Sequence, residues 1–488
     1  MSRRPRVERP STRQRVRAVT VVLAVTGMGC LAWPGAVQAA PGAAPASRAD
    51  FNNDGIDDLI AGVPQASSAA GQVSILPGSG SGPGAAGLKV ITQSGSVPGS
   101  PETGDRFGAD VAYGDVDGDG LTDLAVGSPG EADSVYKERG NVIVLTGSSQ
   151  LTQGDYFTTS DSDPRNPGRA RLGTAVAMGD ITGDGLDDVV GVGPGSAGSG
   201  GWLVWRDSAS NKATTLRLTF EDLNHVDVAV GDFNGDGFDD VAVTTVDRYG
   251  QARAYEYPSA GRAGLTHAMA IQMGAGRTID AGDINQDGRD DIVIGQPAPT
   301  EAAPAYGGTT GGQVTVKLGQ DYGLYYRGHT TAISQSTPGV PGESEEGDAM
   351  GTSVALHDLD GDNTLDIVTG LPGQDSTVGT VTSADAGSVL LLNLTTTPDG
   401  IALKSATGLS QGTGGIGGGG ETGDHFGTAV TAGDFTGNGT AGLVLGAAGE
   451  NGGDGTTVYR PATGPAAFLG KGVAGTPTGG RLGSVLTS

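Results

Sequence analysis

Within nine residues the chain places Asp50, Asn52, Asp54 and Asp58, and this spacing of oxygen-bearing side chains returns five times downstream. Asp115, Asp117, Asp119 and Asp123 form the second copy, and Asp180, Thr182, Asp184 and Asp188 the third. Asp232, Asn234, Asp236 and Asp240 follow, then Asp283, Asn285, Asp287 and Asp291, then Asp358, Asp360, Asp362 and Asp366. Counted from the first Asp, these are positions 1, 3, 5 and 9. Position 7, held by Ile56, Leu121, Leu186, Phe238, Arg289 and Thr364, offers a backbone carbonyl. A tight turn lined by so many oxygens suits a hard cation, and calcium takes roughly six to eight oxygens at about 2.3–2.6 Å. Carboxylates crowded into one turn repel each other unless a cation lies among them. Gly at position 6 permits the left-handed backbone that brings the ligands together. Asn363, which replaces it in the sixth copy, also visits that conformation.

The expectation is about five or six bound calcium ions. Thr182 weakens the third site. A seventh copy, from Asp434, carries Asn438 and Gly442 at positions 5 and 9 and is expected to bind none. An EF-hand is excluded, because it needs Glu at position 12 and flanking helices. Here position 12 is Ala61, Val126, Gly191, Val243, Ile294 or Thr369, each inside a strand-like apolar run.

These turns need short, stiff elements on either side. The chain has 488 residues, of which 89 are Gly, with 5% aromatic and 17% charged residues. There is no Gly-X-Y period, which excludes collagen, and recurring Val/Ile/Leu runs exclude disorder. Many short apolar runs separated by Gly, Pro and Asp turns predict an all-β chain. Each Asp turn is preceded in most copies by a run opening on a bulky residue and Gly, as in "RFGADVAYG" or "HFGTAVTAG". Each is followed by a second alternation such as "GQVSILPG" or "GNVIVLTG". The bulky-Gly pair is missing before Asp232 and Asp283. One unit therefore reads strand, Asp turn, strand, loop, strand and a looser fourth strand. Seven such units of four antiparallel strands predict a seven-bladed β-propeller.

The chain's end supports the count. "RLGSVLTS" at 481–488 matches the start of "RLGTAVAMGD" at 171–180 and stops before its Asp arrives, whereas the Asp50 turn has no strand before it. The two ends are expected to share one blade, pairing the N- and C-terminal strands and leaving no open sheet edge.

These motifs resemble FG-GAP repeats: Phe-Gly at 107–108 and 426–427, the Asp turns, and Gly-x-Pro at 62–64, 127–129, 295–297 and 370–372. That family includes the propeller of integrin α chains and many secreted bacterial proteins. The resemblance covers about 50–488 and implies calcium in the hairpins between first and second strands, with partners bound on the opposite face.

The domain reading is a signal peptide at 1–39, a short linker at 40–48 and the propeller at 49–488. "MSRRPRVERPSTRQRVRA" is strongly basic, a run of about fifteen apolar residues follows, and "VQA" at 37–39 supplies small cleavage residues. That run is shorter than the roughly twenty residues of a membrane span, and no transmembrane anchor is expected in the mature chain. Cleavage removes seven Arg, one Glu and the single Cys30, moving the net charge from −26 to −32. So negative a chain disfavours nucleic acid and favours cations.

The predicted role is an extracellular binding or adhesion module for a protein or glycan partner; the alternative is an enzyme acting on polysaccharide or phosphodiester. "GLSQG" at 408–412 fits the nucleophile-elbow pattern, but that motif needs a strand before it and a helix after it. Here it opens a glycine-rich loop, so no catalytic residue is assigned. Partner contacts are expected in long loops opposite the Asp turns, at Tyr136, Lys137, Arg139, Tyr156, Phe157 and Tyr306, since aromatics and Arg supply most hot spots.

Overall fold

A computed structural model describes residues 48–147, 151, 153–159, 169–271, 276–298, 310–325, 328–378, 380–398, 400–412 and 415–487. The expected signal peptide at 1–39, most of the 40–48 linker and Tyr306 lie outside them. The described chain forms seven four-stranded antiparallel sheets, each built around one Asp turn, and is a seven-bladed β-propeller. A typical blade takes Val111–Gly114 innermost, then Asp123–Ser128, Asn141–Leu145 and Gly154–Phe157, in chain order. The Asp turn joins its first two strands. In the Asp358 blade an extra hairpin, Ser376–Val378 with Val381–Ser383, is inserted between the second and third strands.

One sheet draws on both ends of the chain. Leu59–Gly62, Val73–Leu76 and Lys89–Ile91 come from the N-terminal side, and Val485–Thr487 pairs antiparallel with Leu59–Gly62 through Ile60–Thr487, Ala61–Leu486 and Gly62–Val485. The C-terminal strand proper is only these three residues. Upstream of it, Leu482 forms an isolated bridge to Gly455 of the Asp434 blade.

The second strand of every blade is buried along its whole length, as in Leu59–Gly62, Asp188–Gly193 and Asp366–Leu371. Such strands read as continuous apolar runs because neighbouring blades cover both faces. The cores accordingly span blade pairs. Ile60 and Ile75 pack with Leu124 and Ile143 of the next blade. Leu59 and Leu76 pack with Phe435, Val444 and Tyr459 of the Asp434 blade. Burying one such side chain contributes about 1.5–3 kcal/mol, and a lone blade would forfeit most of it.

The bulky-Gly pairs and the Gly-x-Pro segments turn out to be two halves of one contact. Phe107, Leu172, Met350, Phe426 and Leu482 are fully buried and bridge Gly71, Gly140, Gly312, Gly387 and Gly455 of the preceding blade. The carbonyl of the Gly that follows then presses on the Gly at position 13 of that preceding blade. A Cβ at Gly62 would lie 2.4 Å from Gly108 O, and one at Gly370 only 1.8 Å from Gly427 O. The two copies lacking the pair follow the two blades that carry Val192 and Thr244 at position 13. Where the approaching glycine is lost, its receiving glycine is lost with it.

Deleting 481–488 removes a strand partner of Leu59–Gly62 together with buried Leu482. The expected outcome is loss of a single cooperative thermal transition, or aggregation, by calorimetry and light scattering. A truncated chain that melts like the full one would refute the shared sheet.

Candidate metal centres

All seven Asp turns share one hydrogen-bond scheme. The position 1 carboxylate accepts backbone N–H groups from positions 4 to 6, as Asp50 does from Asp54 (3.1 Å) and Gly55 (2.7 Å), and Asp232 from Gly235, Asp236 and Gly237 (2.7–3.1 Å). Position 5 accepts the N–H of position 7, from Asp54–Ile56 at 3.0 Å to Asp362–Thr364 at 2.9 Å. These bonds require left-handed backbone at positions 4 and 6. Gly237 (φ +85°) and Gly120 (φ +77°) meet the need at no steric cost, and Asn363 adopts φ +69° in the Asp358 turn.

Position 9 is different. Asp58, Asp123, Asp188, Asp240, Asp291 and Asp366 have no exposed surface. Each receives a donor from the start of its own turn and another from the far end of the third strand. Asp58 takes Phe51 N (2.9 Å) and Gly78 N (2.8 Å); Asp366 takes Leu359 N (3.0 Å) and Leu394 N (2.8 Å). Burial, countered by these N–H bonds and reinforced by the neighbouring aspartates, pushes their pKa values up: to about 6 for Asp58, Asp123 and Asp366, about 7 for Asp188, and about 8 for Asp240 and Asp291.

The position 8 residue, which sequence reasoning passed over, clasps neighbouring turns together. The Asp57, Asp187, Asp239 and Asp290 carboxylates accept the N–H of Asp434, Asp115, Asp180 and Asp232 in the preceding blade (2.7–2.9 Å). Thr122 donates its hydroxyl to the Arg48 and Asp50 carbonyls (2.8 and 3.0 Å). The signal was the Asp-Asp doublet at positions 8 and 9.

Three observations bear on whether a cation fits. The carboxylate oxygens of Asp115, Asp117 and Asp119 lie within 4.8 Å of one another, and so do those of Asp358, Asp360 and Asp366. Thr182 Oγ1 is buried with no hydrogen-bond partner among the described residues. Finally, the Asp434 turn keeps the shared scheme, Asn438 and Gly439 donating to Asp434 (3.0 and 2.8 Å), with a neutral Asn at position 5 and Gly at position 9. The turn's own shape therefore needs one carboxylate, and the further charge at positions 3, 5 and 9 exceeds what that shape requires. That surplus fits a bound cation, which the oxygens at positions 1, 3, 5 and 9 would hold. Position 12 lies within the second strand in all six acidic copies, as the exclusion of an EF-hand required.

A second set of acids lines the central cavity, of about 560 Å³. Asp227 and Asp280 sit on innermost strands and Asp110 just before one, and they accept the N–H of Ile279, Leu356 and Val176 in the following blades (2.8–3.1 Å). Burial raises Asp110 to about 7, Asp280 to about 6 and Asp227 well above the ordinary carboxylate range.

Two of the partner-contact residues are corrected. Arg139 is buried, its guanidinium bonded to Asp133 at 2.6 Å and to the Thr159 carbonyl. Phe157 is buried in the core between the Asp115 and Asp180 blades, and its segment is a strand rather than a loop. Tyr156 and Lys137 are exposed and Tyr136 half-buried. Gly408 and Leu409 of the "GLSQG" segment end the strand Gly400–Leu409, a reading as loop that the sheet overrides.

FG-GAP-like repeats match residues 180–243 and 232–294, and FG-GAP repeats match 41–76, 107–145 and 275–316. Repeats of the FG-GAP type therefore recur along the chain. Rat phosphatidylinositol-glycan-specific phospholipase D is 34% identical over 160 residues, 32% of this chain and 18% of that protein. Integrin alpha pat-2 of Caenorhabditis elegans is 28% identical over 236 residues, 44% of this chain and 19% of that protein. Chicken integrin alpha-V is 31% identical over 149 residues, 29% and 12% respectively. The match thus spans under a fifth of each relative. Among solved structures, BP39L lectin from Burkholderia pseudomallei superposes with a TM-score of 0.43 at 14% identity, over 83% of this chain and 96% of that one. The FG-GAP name describes the interblade contact already seen, with Phe107-Gly108 closing on Gly62.

Calcium removal is expected to lower the melting temperature by roughly ten degrees or more, reversibly, since each site held a hundredfold above its Kd adds about 2.7 kcal/mol. Asp236→Ala should cost most in calcium and less in its absence. Asn438→Ala should cost about 1 kcal/mol in both, because Asn438 Oδ1 accepts the Thr440 N–H at 2.9 Å. An identical melt with and without calcium would sink the metal assignment.

The buried acids give a pH test. Their folded pKa values exceed the unfolded value of about 3.9, so their contribution is complete below that pH and is lost as pH rises through about 6 to 8. In calcium-free buffer the melting temperature should fall between pH 5 and 8. Saturating calcium, which favours the ionised carboxylates, should flatten or reverse that slope.

Proposed function

We propose that the chain is an extracellular binding module whose blades are clamped by calcium on one face and whose partner, a protein or glycan, docks on the other. The single observation that carries this reading is the segregation of the two faces. Acid-rich turns between first and second strands all lie at one end of the blades. Connections from second to third strands, and from each fourth strand to the next blade, lie at the other.

At that other end Phe220 and Tyr249 are 70% and 68% exposed. Phe220 lies between the Asp180 and Asp232 blades, and Tyr249 between the second and third strands of the Asp232 blade. Arg217 sits 4.1 Å from the Trp202 ring and 5.1 Å from the Phe220 ring, and Arg248 lies 4.9 Å from the Tyr249 ring. Stacked Arg and aromatic groups lose little side-chain entropy on binding and make strong anchors. Val135, 73% exposed, extends this face into the Asp115 blade. The basic, apolar start of the sequence supports export, and the integrin relatives support a protein partner. No observation in the described residues favours the enzyme reading, which rests on the names of the phospholipase relatives.

The test is a glycan array and an affinity capture from extracellular extracts, run in calcium with the full chain and with Phe220→Ala/Tyr249→Ala. The double variant should lose most retained ligand while melting like the parent. If only Asp-turn variants weaken retention, the binding face is assigned to the wrong end.

A further inference from the structure

The Asp358 turn differs from its counterparts in what faces its carboxylates. In the outer hairpin of this blade, Ser388–Thr397 pairs with Gly400–Leu409, and the register slips between Asn393 (opposite Ser405) and Leu394 (opposite Leu403). Lys404 is the extra residue of that bulge. A bulge re-aims a side chain out of the regular ladder, and Lys404 Nζ here lies 2.7 Å from Asp360 Oδ2 and 2.7 Å from Asp362 Oδ2. Across the bulge, Asn393 Nδ2 donates to the same Asp360 oxygen at 3.1 Å. Positions 3 and 5 of the turn are thus both held by an ammonium from the same blade.

The other acidic turns lack this arrangement among the described residues. Arg48 pairs with Asp57, at position 8 and outside the ligand set. Arg289 comes only within 3.6 Å of Asp287 and is bonded to Asp321.

We propose that Lys404 is a tethered counter-ion of the Asp358 turn, competing with calcium for positions 3 and 5, so that this turn takes calcium last among the six. The proposal rests on reading the acidic turns as calcium sites. A group on a short tether acts at an effective concentration on the order of millimolar, so dilute calcium meets a competitor that never diffuses away. A single ammonium supplies one charge where calcium supplies two, and it yields once calcium is abundant. The consequence is a blade that keeps its turn in order when calcium is scarce.

The experiment is equilibrium dialysis of the full chain against calcium alone, for the parent, Lys404→Met, Lys404→Gln and Lys404→Met/Asp360→Asn. Both single variants should bind one more ion per chain than the parent at low calcium, and the double variant should lose it again. In parallel, amine-reactive labelling read by peptide mass spectrometry should mark Lys404 several-fold more in saturating calcium than without it. Equal binding curves for the parent and both single variants, or calcium-independent labelling of Lys404, overturn the tethered ion alone, because the other turns still report binding. No calcium bound by any form overturns it together with the calcium reading.

Discussion

A carboxylate with no exposed surface anchors six of the seven blades, and much of the architecture follows from keeping it satisfied. The position 9 Asp is buried where its second strand begins, so a charge there is costly unless hydrogen bonds and a counter-charge meet it. Its two oxygens take donors from both ends of the blade's lower half, the start of the Asp turn and the end of the third strand. In those six blades that one group ties the Asp turn to the end of the third strand, a link the Asp434 blade, with Gly442 in that place, does without. The N–H bonds alone leave its proton affinity raised, which makes a cation in the turn an electrostatic complement.

Between blades the governing contact is steric. A buried bulky side chain and the glycine after it close on a glycine in the preceding blade, at a distance no Cβ would tolerate. Removing either glycine alone would leave a clash or a gap. The paired absence at Val192 and Thr244 shows that the contact changes as a unit, and that the sheet continues without it through ordinary packing of Val226, Val228 and Val243. Position 8 adds a polar stitch between turns, so the face that carries the Asp turns is braced laterally as well as within each blade.

The repeat count, the strand order and the acidic turns were legible because each repeats in register and obeys local chemistry. The shared sheet was legible because a half-unit stood at each end. What escaped sequence reasoning depends on spatial neighbours that no local pattern encodes. Arg139 and Phe157 looked like exposed anchors in a polar stretch, yet one is neutralised by Asp133 and the other faces the next blade. Phe220 and Tyr249 are lone aromatics in the sequence, and only the fold brings arginines to stack beside them. Lys404 is one unremarkable cation in an alternating strand until a register slip turns it toward a loop more than forty residues earlier.

The seven turns together form a graded series made by substitution within one scaffold. Asp434 shows that the backbone folds with a single carboxylate; Asp180 keeps the acids but places a hydroxyl at position 3; Asp115 brings three carboxylates within reach of one ion. Asp358 keeps every acid and supplies its own cation. The backbone scheme is common to all, and the turns differ in charge and in how closely their carboxylates approach. A metal bound to such a series adds stability blade by blade, and the blades that need it least are those whose charge is already absent or already met.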